Sequence, residues 1–447
     1  MSKLDEINQA LRSEAPAVWT ALSPTARQAV YPADIPFQAA EARGTRYNAT
    51  IGQITDGAGG VLQLPAVASL LAGLSDAARN RALLYSPIPG QTELRRLWRE
   101  RERRQAEWDE ASEARPLPPS SSPLVTSGLT HALALAADLF GGPDRAVLVP
   151  DPCWGNYRQV FALRTGARIE RYPFYRDGEF WPGGVAPALA RLPPGEPAVV
   201  VLNFPSNPGG YMPTRAQRSE LVASLVAAAA DRPVVALCDE AYASLVYDPE
   251  IPRRSLFWDL CGRSPQLIPV RASGATKEFL LFGGRIGFLT LPWDDEHPVA
   301  SALDDKLRCL LRAGVGSPVA LSQEILLQAL QDEGLEGQVD AVRSEMARRH
   351  RSMCGALAAA EARGAPLRLL PSNSGAFVLL ELSAGLDAES ARRHLIEHAS
   401  VGVVAVPPRY LRLAFCSTAP EDIEPLVDRL VVGLQGLEVA TAGTAGA

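Results

Sequence analysis

Five short apolar runs, separated by helical patterns, occupy the chain between residues 125 and 330. They are rich in Val, Leu and Ile, and they are Ala146–Pro150, Ala198–Asn203, Pro233–Cys238, Leu267–Val270 and Gly287–Leu291. Uninterrupted apolar runs of this length are typical of strands that are buried on both faces of a parallel sheet. The helical stretches between them, such as Arg215–Ala230, match the crossover helices that parallel strands require. The sequence therefore predicts an α/β fold with a mostly parallel sheet between helices.

The length of 447 residues predicts more than one domain, because a single core stops growing beyond about 250–300 residues. We predict an N-terminal arm over residues 1–50, which belongs partly to a small domain, and a large domain over residues 51–330. The smaller α+β domain, residues 331–436, begins with a long helical pattern, Glu336–Ala362. Residues 437–447 are predicted to be a disordered tail.

The distribution of charge argues against a nucleic-acid or membrane partner. The chain has 44 basic and 50 acidic side chains, a net charge of -6 at pH 7, and no basic block. The arginine-rich stretch between Arg95 and Arg104 also contains Glu100 and Glu102, and we interpret it as a solvated helix face.

Neither a membrane span nor a metal site is indicated by the sequence. No apolar segment is long enough to cross a bilayer, and the first residues lack the apolar stretch of a signal peptide. The six cysteines and five histidines show no metal-ligand spacing. We therefore expect a cytoplasmic protein without a bound metal.

Polar residues follow four of the predicted strands. The segments that carry them are Asp151–Tyr157, Phe204–Gly210, Asp239–Tyr242 and Ser273–Lys277. Ligands of open parallel sheets bind beyond the carboxyl ends of the strands, and four polar segments at one edge predict a site.

One cofactor, pyridoxal phosphate, accounts for this set of side chains. It requires a lysine for an imine, an acid beside its pyridine nitrogen, donors to its phenolate oxygen and a cradle for its phosphate. Asp239 is the candidate acid, because a buried carboxylate raises the pKa of the ring nitrogen. The alternative interpretation of Asp239 is a helix N-cap.

The segment Gly274–Gly287 resembles the cofactor-attachment signature of class I aminotransferases, with a lysine followed eight residues later by an arginine. The resemblance extends over about residues 45 to 435. It implies the fold-type I architecture, with a seven-stranded mostly parallel sheet in a large cofactor-binding domain. It also implies a small domain formed by both termini and a homodimer with shared active sites.

The resemblance implies a role for each residue around the cofactor ring. Lys277 would form the Schiff base and afterwards move the proton between the substrate's α-carbon and the cofactor. Asp239 would pair with the pyridinium, and Tyr242 and Asn207 would hydrogen-bond the phenolate oxygen. Trp154 would stack on the ring.

The resemblance also implies a phosphate site. Leu129 and Thr130 lie at the start of the predicted helix Thr130–Phe140, whose N-terminus would face the phosphate, and Arg285 would add a charged contact. Tyr85 resembles the tyrosine that reaches the phosphate of the partner subunit. Ser273 is the candidate serine ligand, although the family's serine often stands one position closer to the lysine. Leu129 occupies a position where a small polar residue is common.

For the substrate, Arg412 resembles the arginine that binds the α-carboxylate, and Gly52, Asn207 and Trp154 would lie close to it. Arg312 lies in a segment that resembles the one from which aspartate and aromatic aminotransferases supply an arginine for a distal carboxylate, across the dimer. An ordinary surface arginine is the alternative interpretation of Arg312.

The expected activity is transfer of the amino group of an L-amino acid to a 2-oxo acid. The alternative is a biosynthetic pyridoxal-phosphate enzyme that catalyses β- or γ-elimination, replacement or carbon–carbon bond formation on the same scaffold. A binding or regulatory protein that keeps the scaffold is disfavoured by the intact Lys277.

Overall fold

The computed structural model describes residues 1–32, 34–57, 60–107 and 117–445, with side chains described as far as residue 439. Its strands are β1 (Tyr47–Asn48), β2 (Leu124–Thr126), β3 (Ala146–Asp151), β4 (Arg168–Pro173), β5 (Tyr175–Arg176), β6 (Glu179–Phe180), β7 (Ala198–Asn203), β8 (Val234–Asp239), β9 (Leu267–Ser273), β10 (Gly287–Thr290), β11 (Leu367–Leu369), β12 (Val378–Leu382), β13 (Val401–Gly402), β14 (Val404–Val406) and β15 (Tyr410–Leu413).

The α-helices are α1 (Lys3–Glu14), α2 (Pro16–Ala21), α3 (Pro24–Gln28), α4 (Ile35–Glu41), α5 (Pro65–Ala72), α6 (Asp76–Ala82), α7 (Thr92–Glu107), α8 (Leu129–Phe140), α9 (Val185–Ala190), α10 (Arg215–Ala228), α11 (Leu256–Leu260), α12 (Ala275–Glu278), α13 (Pro298–Val315), α14 (Ala320–Leu330), α15 (Leu335–Ala362), α16 (Ala388–His394) and α17 (Ile423–Ala445). Among the described residues, no helix is both long and apolar enough to cross a membrane.

The large sheet has seven strands in the order β2-β10-β9-β8-β7-β3-β4. Neighbouring strands from β9 to β4 run parallel, whereas β10 is antiparallel to both β9 and β2. The α/β fold with a mostly parallel seven-stranded sheet is therefore confirmed. All five predicted strands are present. The run that begins at Gly287 forms β10, the strand that is antiparallel to its neighbours.

Both faces of the central strands β3, β7 and β8 are buried, which explains the nearly continuous apolar runs in their sequences. Alternate residues of β3, β7 and β8 pack in a cluster with α8 and α13, and they are Val147, Val149, Val199, Val201, Val235 and Leu237. The residues between them pack on the opposite side with α9, α10 and α11, and they are Ala146, Leu148, Val200, Leu202, Ala236 and Cys238. Strands covered on both faces lack the polar alternation of a half-exposed sheet.

A second sheet of four antiparallel strands, in the order β11-β12-β15-β14, packs in one core with α15, α16 and α17. The N-terminal part of the chain joins it. β1 pairs with β13, and the buried Gln38 side chain accepts the Ala405 N–H at 2.7 Å and donates to the Ala405 carbonyl at 3.2 Å. These contacts agree with an arm that belongs with the small domain, whose exact limits stay a prediction.

The C-terminal prediction requires a correction. Residues 437–447 were expected to form a disordered tail, but α17 continues to Ala445. The small apolar residues of this segment are compatible with a helix, and Ala is the best helix former. The last two positions lie outside the described residues.

Candidate active site

The register of the large sheet aligns the strand ends that carry the predicted site. Asn203 at the end of β7 is opposite Asp239 at the end of β8, and Asp239 is opposite Ala272 near the end of β9. The Asn203 side chain donates a hydrogen bond to the Asp239 carbonyl at 3.0 Å. This alignment places the segments after β7, β8 and β9 together at one edge of the sheet.

Asp239 is a buried carboxylate, with 3% of its surface exposed. Its Oδ2 accepts a hydrogen bond from the Tyr157 hydroxyl at 2.6 Å, while its buried Oδ1 has no hydrogen-bond partner among the described residues. Burial raises the pKa of Asp239 to about 6, against the lowering effects of the Tyr157 hydrogen bond, the Lys277 charge and the backbone N–H of Ala241. Asp239 therefore has one oxygen that can accept a hydrogen bond from a ligand. A residue that served only as a helix N-cap would not need a buried oxygen of this kind.

Lys277 is in α12, directly after β9, and its Nζ lies 5.1 Å from the centre of the buried Tyr242 ring. Burial lowers the pKa of Lys277, Asp239 opposes that shift, and the Arg285 charge adds to it. The chain contains only two other lysines, Lys3 and Lys306, and both are exposed. Of the three lysines, Lys277 is thus the one whose amine lies at the edge of the sheet that carries Asp239.

A helix N-terminus and a guanidinium form the second part of the site. Gly128 precedes α8 with φ +87°, and a Cβ there would lie 2.4 Å from Nη2 of Arg285. Gly287 packs equally closely, since a Cβ at that position would lie 2.7 Å from the Leu129 nitrogen. The first backbone N–H groups of a helix lack intrahelical acceptors, so Leu129, Thr130 and Arg285 together fit a phosphate group.

The Ser273 hydroxyl points toward Glu102 and Trp98 and not toward the predicted phosphate site. Its hydroxyl donates to Glu102 at 2.7 Å and accepts the Trp98 indole N–H at 3.3 Å, within a buried cluster behind the sheet edge. This corrects the prediction that Ser273 contacts the phosphate. The spacing had already departed by one position from the family pattern.

Arg412 is 1% exposed and is held by neutral groups. It donates to the Asn207 side-chain oxygen at 3.1 Å and to the Thr50 carbonyl at 2.7 Å, and its guanidinium lies 4.0 Å from the centre of the Phe377 ring. Burial lowers its pKa to about 10, and its Nε has no hydrogen-bond partner among the described residues. A buried cation without a carboxylate partner fits an anionic ligand.

A cavity of about 610 Å³ connects several of these residues. Trp154, Tyr157, Asn207 and Arg412 line it, together with Asp34 at the start of α4. This volume is within the usual range for small-molecule sites.

Gly52, Tyr85 and Arg312, which were also predicted to belong to the site, do not line this cavity. Gly52 lies against the ring of Phe377, where a Cβ would be 2.9 Å from Cζ, and thus close to Arg412. Tyr85 is 95% exposed, and Arg312 is exposed near the end of α13. Neither of these two lines the cavity of its own chain.

Comparison with known proteins agrees with this geometry. A sequence model of the family described as aminotransferase class I and II matches residues 48–430. The chain belongs to this family.

The curated relatives of this aminotransferase chain are distant. A Mycobacterium tuberculosis protein named as a probable N-succinyldiaminopimelate aminotransferase is 29% identical over 50% of this chain and 52% of that protein. The mitochondrial aspartate aminotransferase of Schizosaccharomyces pombe is 26% identical over 51% of each chain. The chain thus spans about half the length of the curated relatives it matches. An aminotransferase structure from Anaerococcus prevotii is similar in fold, with a TM-score of 0.77, 18% identity, and coverage of 93% of this chain and 99% of that one.

Tyr157 is the site residue of this aminotransferase chain that sequence reasoning missed. It lies three residues after Trp154 and is 1% exposed, and its ring meets that of Trp154 edge to face at 5.4 Å. A tyrosine between Asn156 and Arg158 gives no signal that its hydroxyl donates to a carboxylate 82 positions later. A buried tyrosine hydroxyl nevertheless requires a partner, and that requirement was the available hint.

The raised pKa of Asp239 leads to a test in the cofactor-free protein. Its folded-state pKa is about 6 and its ordinary value is 3.8, so its ionisation opposes folding as the pH rises through 6. Asn does not ionise. Urea unfolding should therefore show that the stability of Asp239→Asn relative to wild type grows by about 2 kcal/mol between pH 4.5 and 7.5. A difference that stays constant with pH would mean that Asp239 is not desolvated as described.

Proposed function

We propose that the protein is a pyridoxal-phosphate-dependent aminotransferase, which transfers the amino group of an L-amino acid to a 2-oxo acid. The observation that carries the proposal is the buried and unpartnered Oδ1 of Asp239 on the same sheet edge as Lys277. An orphaned acceptor of this kind calls for a donor from a ligand, and a protonated pyridine nitrogen is such a donor.

The residues present fit pyridoxal phosphate at each of its functional groups. Asp239 would pair with the pyridine nitrogen, and Lys277 would hold the cofactor covalently. The α8 N-terminus and Arg285 would bind the phosphate. When bound, the cofactor supplies an electron-withdrawing ring for the negative charge that develops at the substrate's α-carbon.

Three further residues complete the ring site in this proposal. Trp154 lines the cavity and would stack on the ring, as the resemblance implies. Tyr242 and Asn207 would donate to the phenolate oxygen, and burial raises the pKa of Tyr242 so that it stays a protonated donor. The Asn207 side-chain oxygen is already bonded to Arg412, which leaves its amide NH₂ for the cofactor.

Lys277 would also move the proton in this reaction. Because burial lowers its pKa, a larger fraction of the amine is neutral near pH 7 than for an exposed lysine. A neutral Nζ would accept a proton from the substrate's α-carbon and then donate it to the cofactor, which is general acid–base catalysis. The nearby Asp239 charge opposes this lowering of the Lys277 pKa.

Arg412 would bind the substrate's α-carboxylate. Its two hydrogen bonds, to Asn207 and Thr50, orient the guanidinium, and its Nε remains available. Gly52 would leave room beside it, because a side chain there would collide with Phe377. Transamination is preferred to elimination or replacement because the family and the relatives named above are aminotransferases.

A homodimer with shared active sites is part of the proposal. Tyr85 lies in a patch of exposed apolar side chains with Leu83 (85% exposed) and Leu84 (67%), and Val319 and Leu321 are also exposed. Large apolar patches on a soluble surface mark interaction sites, and a second copy would cover them. Tyr85 would then reach the partner's phosphate, and Arg312 would reach the distal carboxylate of the partner's substrate.

The cytoplasm is the proposed compartment. All six cysteines are free thiols, which is the usual state in a reducing compartment.

The assay for this function is glutamate formation from 2-oxoglutarate with a panel of L-amino acids. The wild-type enzyme should form glutamate with at least one donor. Asp239→Asn should slow the reaction on the order of a thousandfold, because an amide does not keep the ring nitrogen protonated. The control Asp144→Asn removes an exposed carboxylate and should leave the rate unchanged. Normal turnover by Asp239→Asn, or no glutamate with any donor, would contradict the proposal.

Shared active sites predict complementation between two defective variants. Lys277→Ala lacks the attachment lysine, and the double variant Tyr85→Phe with Arg312→Ala lacks both crossing groups. A hybrid dimer has one complete site, because one subunit supplies Lys277 and the other supplies Tyr85 and Arg312. Mixing the two under subunit exchange should therefore restore part of the activity. An active monomer in sedimentation, or no recovery in confirmed hybrids, would rule out the crossing roles.

A further inference from the structure

Helix α7 carries two adjacent buried charges, Arg101 and Glu102, which are 2% and 3% exposed. Both belong to the arginine-rich stretch for which the sequence predicts a solvated helix face, and that prediction is wrong for these two residues. The exposed members of the same stretch, such as Arg96, do form surface ion pairs, with Glu93 and Glu100. Buried charges cost desolvation energy and are found where partners compensate them.

Glu102 connects α7 to the strand end that carries Asp239. It pairs with Arg271 of β9 at 3.2 Å, and Arg271 pairs with Glu240 at 2.7 Å. Arg271 and Glu240 are 4% and 5% exposed, so the whole chain of contacts is buried. Glu240 directly follows Asp239 in the sequence. The backbone at Asp239 is therefore fixed to α7 through two ion pairs.

Arg101 connects the same helix to Lys277. Its Nη1 donates to Glu278 at 2.7 Å, and its Nε donates to Glu336 of α15 at 2.6 Å. Glu278 is 6% exposed and directly follows Lys277. Gln105, one turn further along α7, also donates to Glu278, at 3.2 Å. Neighbouring residues of one helix thus hold the residues next to Asp239 and next to Lys277.

We propose that Arg101 and Glu102 are positioning residues that fix the placement of Lys277 relative to Asp239. The proposal rests on the proposed function, because that function requires the amine and the carboxylate to meet opposite ends of one cofactor. Neither α7 residue is assigned a contact with the cofactor or the substrate; each acts through a glutamate that follows a site residue.

Arg101 donates to Glu278 and Arg271 donates to Glu240, each at 2.7 Å, and such charge-assisted hydrogen bonds fix the geometry of both glutamates. Nη1 of Arg271 faces Glu102 at 3.2 Å as an ion pair without a hydrogen bond.

The geometry supports positioning over simple stabilisation. A buried ion pair often adds little stability compared with apolar residues of similar volume. Here the paired carboxylates are the ones adjacent to Asp239 and Lys277. A further donor, the indole N–H of Trp98, contacts Glu102 at 2.8 Å and restrains it.

The test uses the full-length enzyme reconstituted with pyridoxal phosphate. Glu102→Gln keeps an acceptor for the Trp98 indole N–H but removes the negative charge that pairs with Arg271. Arg101→Lys keeps the positive charge but loses the guanidinium that pairs with Glu278 and Glu336 at the same time. Two readouts are taken: the dissociation constant for pyridoxal phosphate, and the pKa from pH titration of the bound cofactor's visible absorption band. Both variants are expected to weaken cofactor binding at least tenfold and to shift the spectroscopic pKa.

The matched control is Arg392→Lys. Arg392 is 1% exposed and pairs with Glu389 and Glu41, so it joins α16 to α4, and its ion pairs involve neither Glu240 nor Glu278. It should lower the melting temperature as much as the α7 variants do and leave both cofactor readouts unchanged. If Glu102→Gln does not fold, Gln105→Met, which removes one hydrogen bond to Glu278, should give a smaller shift in the same direction.

The outcomes separate this inference from the proposed function. α7 variants that melt earlier but bind the cofactor with wild-type affinity and spectroscopic pKa would overturn the positioning role and leave the function intact. A wild-type protein that does not bind pyridoxal phosphate would overturn the proposed function itself.

Discussion

The buried carboxylate of Asp239 is the constraint on which the site depends. A charge at this position is stable only if its environment supplies hydrogen bonds and opposite charges. The Tyr157 hydroxyl and Lys277 supply part of that environment, and one oxygen is left for a ligand. The sheet can carry such a group because β8 is central, with strands hydrogen-bonded on both sides. In the proposed function, the free energy lost by burying this carboxylate in the cofactor-free protein would be recovered when the pyridine nitrogen of the cofactor donates to it.

The same sheet edge arranges the other functional groups without requiring long loops. Neighbouring strands from β9 to β4 are parallel, so the segments that follow them emerge side by side. β10 reverses direction, and its first residue, Gly287, packs against the backbone before α8. That close approach positions the α8 N-terminus beside Arg285, which lies between α12 and β10. Backbone topology therefore assembles the proposed phosphate site, to which the Arg285 side chain adds a positive charge.

The sequence predicted those features that depend on local patterns. The apolar runs gave the strands, and the polar residues after them gave Asp239 and Lys277, because strand ends of a parallel sheet must meet. Contacts between residues that are far apart in the sequence could not be predicted from local patterns. Nothing in the local pattern of α7 distinguishes Arg101, whose partners lie more than 170 residues away, from the exposed Arg96. Ser273 was assigned to the phosphate by resemblance to the family, whereas a contact with Glu102 decides the direction of its hydroxyl.

The central claim is that Lys277 holds pyridoxal phosphate, and the small number of lysines makes it directly testable. The reconstituted protein is reduced with borohydride, digested and mapped by mass spectrometry, with Lys3 and Lys306 as internal controls in the same digest. The account predicts one phosphopyridoxyl group per chain, on the peptide that contains Lys277. A label on Lys3 or Lys306 in place of Lys277, or no label after reconstitution, would contradict it.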